Sequence, residues 1–277
     1  MSFFDKIFGK PNNKQTATLS TSETNNEEDW DFYFTNVDDN LASIFVDLGL
    51  ITMAPMKDKP NIVWVSIQMN NPREDGLSSK EENTLLCDIE DALVAKVTSK
   101  HNSTYIGRLT SAGCRDLYFY FGDTMLYEKT ISEVMVAYPK YEFEYGSKED
   151  KEWSGYLDFL YPTPTQMQTI QNRRVIDQLE KNGDDLTKPR EVDHWIYFKT
   201  ETDRETYIEQ ISNEGFNIVE KIYNKELDET PFVLHIKRVD YVDQNSVDEY
   251  VIYLWKLANE LNADYDGWET SIEKDAN

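Results

Sequence analysis

Residues 61–69, NIVWVSIQM, alternate strictly: Val63, Val65, Ile67 and Met69 fall on one side, Trp64, Ser66 and Gln68 on the other. A period of two predicts a half-buried strand. Upstream, WDFYFTN and LASIFVDLG read as two extended runs around Asp38–Asp39. Downstream the period changes to that of a helix, with Leu86, Ile89, Leu93 and Val97 on one stripe and Ser79 and Glu82 at capping-box spacing before it. STYIGRLTSAGCRDLYFYFG then predicts a hairpin turning at Ala112–Gly113, followed by a helix over about 123–137 and a strand in KYEFEYGS. The order is strand, helix, strand, strand, helix, strand.

Pro162 and Pro164 in YPTPTQ interrupt both periods and mark a domain boundary. Beyond them a helix over about 165–182 stops at Asn182–Gly183, and HWIYFKT predicts a strand. Thr202 with Glu205 opens a helix that Gly215 closes. NIVEKIYN and FVLHIKRVD predict two strands. Val247, Val251, Leu254, Ala258 and Leu261, spaced by four, three, four and three, predict the clearest helix, and YDGWETSI is left as the last strand. The same order recurs, with one helix added in front. The expectation is an α+β chain of two tandem ferredoxin-like (split β-α-β) domains with antiparallel sheets, over 29–162 and 165–277, after a tail and linker at 1–28.

That tail, with Phe3, Phe4, Ile7 and Phe8 on one helical face, suits either a weak interfacial helix or a short terminal tail. No run of 18 apolar residues occurs, so no membrane span is expected. The two cysteines, Cys87 and Cys114, lie far apart without a C-x-x-C, which suits a reducing cytoplasm.

Charge narrows the partners. The net charge is −24, and each side of Pro164 carries −12, so the acidity is general. Such a surface repels phosphate backbones and suits a basic protein partner, or solubility alone. In the second half Ile196 and Phe198, with Phe232, Leu234 and Ile236, predict the helix-covered face of a sheet. The other face would then show Trp195, Tyr197, Tyr223, His235 and Lys237. Aromatics on such a sheet can stack on RNA bases, but no basic-aromatic string accompanies them, so direct nucleic-acid binding is not expected.

Catalytic signals are missing from the pattern. His101, His194 and His235 do not have metal-ligand spacing, and there is no nucleophile elbow and no glycine-rich phosphate loop. The cluster ADYDGWETSI offers Asp264, Asp266 and Glu269, but on a strand Glu269 would oppose the other two. Gly267 is read as permitting a bulge and Trp268 as an anchor. No catalytic, metal or cofactor residue is expected.

Three strings in the second half, NRRVIDQLEKNGDDLTKPREVDHWIYFKT, EGFNIV and LANELNADYDGWETSI, closely resemble the ribonuclease E inhibitor family, regulator of ribonuclease activity B, over about 168–272. The resemblance implies a small ferredoxin-like protein that inhibits RNA cleavage by protein contact and has no catalytic residues. The first half, through YFTNVDDNLASIFVDLGL, GLSSKEEN, YIGRLTSAGCRDLYFYF and WSGYLDFLYP, resembles a bacterial domain of unknown function over about 29–162. The reading is a cytoplasmic, non-catalytic regulator whose partner is a protein, an endoribonuclease or RNA-decay complex. The alternatives are an immunity or antitoxin-like protein that neutralises a basic toxin, or an RNA-binding module. The candidate partner patch is Asp184, Asp185, Asp193 and His194 beside Trp195, then Tyr197 and Tyr223. Its other reading is a helix stop and strand start with solvated charges.

Overall fold

The computed structural model describes residues 28–274, so the expected linker and interfacial helix at the N-terminus lie outside the described residues. The described chain is α+β. Every strand pair is antiparallel, in one six-stranded and one four-stranded sheet. It divides into two compact units between Gln166 and Met167.

In the first unit β1 (Trp30–Val37) and β2 (Asn40–Asp47) form the early hairpin, and β3 (Asn61–Gln68) is the strand of strict alternation. α1 (Lys80–Lys100), β4 (Ser103–Ser111), β5 (Cys114–Phe121), α2 (Tyr127–Met135) and β6 (Phe143–Glu149) follow, and the sheet order is β1-β2-β4-β5-β3-β6. The early hairpin therefore extends the sheet, which the sequence pattern alone did not place. Val63, Val65, Ile67 and Met69 are buried with Leu86, Ile89, Leu93 and Val97 of α1. On the opposite face Tyr120 stacks on Trp153, with 4.0 Å between ring centroids. The Trp153 indole N–H donates to the Lys59 carbonyl at 2.9 Å, and the Tyr156 hydroxyl to that of Asp47 at 2.8 Å, so residues 150–160 cover this face.

Ser79 is the N-cap residue of α1 but makes no side-chain cap bond. The expected capping box is absent because the Glu82 carboxylate instead accepts from the Asn70 and Asn71 amides, at 2.7 and 2.8 Å. The strand exit competes for the same acceptor.

The second unit contains all but the first turn of α3 (Pro164–Lys181), then β7 (Arg190–Phe198), α4 (Glu201–Gln210), β8 (Asn217–Tyr223), β9 (Phe232–Asp240), α5 (Gln244–Glu260) and β10 (Asp264–Thr270). Its sheet runs β10-β7-β9-β8. Ile196, Phe198, Leu234 and Ile236 are buried against Tyr207 of α4 and Leu254 and Ala258 of α5. α3 packs through Val175, Ile176 and Leu179 on Val192, Val247, Val251 and Trp268. It therefore lies on the helix-bearing side of the sheet. α4 is capped two residues earlier than the sequence pattern predicts, because Thr200 Oγ1 accepts from the Asp203 amide at 3.1 Å. Glu205, the expected capping partner, binds Lys221 of β8 at 3.0 Å instead.

Candidate functional site: the aromatic sheet face of the second unit

Alternation along β7 separates two sets of side chains. Val192, His194, Ile196 and Phe198 are buried, while Asp193, Trp195 and Tyr197 are part-exposed on the other face. Directly paired residues of antiparallel strands share a face. The register therefore puts Gly267, Trp195 and His235 in one row, and Glu269, Asp193 and Lys237 in the next. Trp195 stacks on His235, with centroids 4.4 Å apart and planes 16° from parallel. His235 Nε2 lies 2.6 Å from Asp193 Oδ1, and Lys237 Nζ donates to Glu191 Oε2 at 2.9 Å. The result is an aromatic centre bordered by the His235–Asp193 contact and the Lys237–Glu191 ion pair.

Gly267 makes that row. β10 is bulged between Tyr265 and Gly267, and Gly267 has φ 135°, a backbone region glycine adopts without strain. The bulge turns Trp268 inward, where it is 2 % exposed, and its indole N–H donates to Asn172 Oδ1 at 3.2 Å. Buried Asn172 also donates to Asp248 Oδ1 at 2.8 Å and accepts from Gln168 at 3.2 Å. One amide thus links α3, α5 and β10. Sequence reading missed this hub, although Gln168 and Asn172 are polar residues on the apolar stripe of α3, which is a signal of buried polar work.

The other predicted partner residues fall in different places. His194 is fully buried. Nδ1 lies 2.7 Å from the Tyr265 hydroxyl, and burial pushes the imidazole pKa down to about 3. The Asp184 carboxylate has no exposed surface and binds Arg190 at 2.5 Å. It also accepts from the Glu273 amide at 2.9 Å. Asp185 is part-exposed, bonded to Thr187 and paired with Lys188 at 3.3 Å. Its carboxyl is held below the usual range, first by the Thr187 hydroxyl. Tyr223 pairs with Phe232, which puts it on the helix side of the sheet and away from the Trp195 row. A bulge between Ile218 and Glu220 shifts the register of β8, and a one-residue shift moves side chains to the other face. Of the expected patch, the structure brings together Asp193, Trp195 and Tyr197.

Chemistry is sparse elsewhere. No cluster of three or more His, Cys, Asp or Glu side chains suited to a metal occurs among the described residues. The first unit has a concavity of about 750 Å3 whose lining includes Trp30, Phe45, Lys59, Glu90 and Tyr105. Its polar groups face one another: Glu90 Oε1 accepts from the Tyr105 hydroxyl at 2.8 Å and from Arg108 at 2.7 Å, and Lys59 donates to Thr104 at 2.8 Å. Burial, then the Glu90 charge, raises the Tyr105 pKa well above its ordinary value. Among the described residues, no helix is long and apolar enough to cross a membrane.

No curated protein matches the chain. Twelve chains of solved structures show similarity. One, an unknown protein from Galdieria sulphuraria, is 11% identical with TM-score 0.22, covering 77% of this chain and 99% of that one. Another, a putative glycine cleavage system transcriptional repressor, is 7% identical with TM-score 0.20, covering 76% and 98%. At such TM-scores neither bears on fold or function. Residues 28–161 match a family of unknown function, DUF695, and residues 169–270 match the family Regulator of ribonuclease activity B.

Proposed function

We propose that this chain is a non-catalytic regulator that acts by protein contact on an RNA-degrading endoribonuclease or its complex. The observation that carries the reading is the match of residues 169–270 to Regulator of ribonuclease activity B. On this reading both units follow the ferredoxin-like plan. The order β10-β7-β9-β8 supports it for the second unit, and β4-β5-β3-β6 with an added hairpin supports it for the first. Residues 165–277 form the contact domain, and residues 29–162 accompany it. Free Cys87 and Cys114 suit a reducing, cytoplasmic setting.

The contact surface we assign is the face carrying Trp195, Tyr197 and Asp193. A part-exposed Trp beside paired charges has the make-up of an interface centre with a polar rim. Affinity capture with tagged full-length chain from its native host tests the reading. Recovery of an endoribonuclease or an RNA-decay component is expected. Recovery of none, even at low salt, overturns it.

A further inference from the structure

β8 differs from the other strands described. All seven of its residues, Asn217 to Tyr223, are exposed, and it pairs only with β9. It is therefore a sheet edge whose outer N–H and C=O groups face solvent. Its apolar side chains are large and open: Ile218 is 45 % exposed, Val219 46 % and Tyr223 65 %. The opposite edge strand, β10, is half-buried, and Arg190 donates to the Ser271 carbonyl just beyond its end at 3.0 Å. Natural edges are commonly blunted by lysine, proline or a bulge. Here the only lysine, Lys221, is drawn to Glu205, with its Nζ 3.0 Å from the carboxylate, and the bulge ends at Glu220. Glu220 to Tyr223 are left as a straight segment, in which the Ile222 carbonyl accepts from Arg204 at 3.1 Å.

Charge says what fits there. Residues 201–230, which comprise α4, β8 and the loops on either side of β8, hold nine carboxylates and three cations, a net of −6. Glu201, Glu205, Glu209, Glu214, Glu226 and Glu229 are all exposed. A long apolar edge beside exposed carboxylates is complementary to an extended segment that alternates basic and apolar residues. Main-chain bonds to β8 would supply affinity, Ile218 and Tyr223 on the helix side would meet its apolar side chains, and Glu220 on the other face its cations.

We propose that β8 is a docking edge that takes an extended basic–apolar segment of a partner protein by strand addition, next to the Trp195 face. The inference rests on the reading that the second unit works by protein contact, and it names how that contact is made.

The test uses the full chain and a fluorescent octapeptide of alternating Lys and Val, followed by anisotropy at about 0.15 M salt, where exposed charges alone are well screened. Saturable binding is expected. The same peptide N-methylated at alternate residues keeps its charge and side chains but cannot extend a sheet, and it should bind at least about tenfold more weakly. Ile218→Lys with Ile222→Lys should weaken binding of the unmethylated peptide by a similar factor without changing the melting temperature. Should the double variant unfold, Tyr223→Lys carries the same comparison. Equal affinity for the methylated peptide, or unchanged affinity in the folded variant, overturns the proposal. So does a dimer of the chain in sedimentation that the double variant abolishes, since the edge would then belong to a second copy. Capture of an RNA-decay component by wild type and double variant alike would overturn the docking edge and leave the regulatory reading intact. Peptide binding as predicted, with no such component captured, would do the reverse.

Discussion

Asp184 and Arg190 face each other across a tight loop through both carboxylate oxygens and both terminal guanidinium nitrogens, at 2.5 and 2.8 Å. Their side chains are 0% and 3% exposed, and Arg190 also donates to the carbonyls of Asp185, Lys188 and Ser271. The pair fastens the stop of α3, the start of β7 and the segment after β10. Loss of one partner strands a buried charge, which costs about 3–5 kcal/mol. Asp184→Lys is therefore expected to lower the denaturation midpoint of the second unit steeply. Asp185→Lys, at a part-exposed side chain bonded mainly to its own loop, should cost far less. Chemical denaturation of the two variants makes the comparison.

His194 should make stability depend on pH. Both folded and unfolded states are neutral at this residue above about pH 6.5, so it contributes nothing there. Its folded pKa is about 3, so between pH 6.5 and 3 only the unfolded chain takes up the proton. Stability should fall as pH falls through that window, by about 1.4 kcal/mol per unit from this group, or about 2 kcal/mol at pH 5. His194→Leu should flatten the wild-type slope between pH 6.5 and 4 by that amount in urea titrations.

These two residues show what the sequence could and could not convey. Element order was legible, because period-two runs such as NIVWVSIQ and the Val247–Leu261 stripe are local signals. The Gly267 bulge and Trp268 anchor were legible too, since only a glycine tolerates such a backbone beside a large inward ring. Long-range choices were not. Nothing in GDDLTKPRE says that Asp184 turns back to Arg190 instead of facing water, and only the β7–β10 register puts His194 against Tyr265. The bulge in β8 decides which side Tyr223 occupies, and its sequence, NIVEKIY, carries no turn residue to announce it.

Gly267→Val should destabilise the second unit by about 1–3 kcal/mol, because φ 135° is strained for any branched residue. Differential scanning calorimetry of the full chain should show the transition of that unit moving down while the other stays in place.

Trp195→Ala removes the ring stacked on His235 from a face that no helix of the second unit covers. As an interface anchor it should cost about 2 kcal/mol or more of partner binding, roughly thirtyfold in Kd, with little loss of fold. Isothermal titration against the captured partner, with circular dichroism of the variant alone, separates the two effects.

The central claim is that the second unit restrains an RNA-degrading endoribonuclease by binding it. The most direct measurement is cleavage of a defined RNA by the host endoribonuclease, purified, with increasing amounts of the full chain. The account predicts a dose-dependent slowing that saturates at the stoichiometry of the complex, with no cleavage by the chain alone. Unchanged cleavage at a chain concentration well above that of the nuclease, or slowing that added RNA reverses by competition, would contradict it.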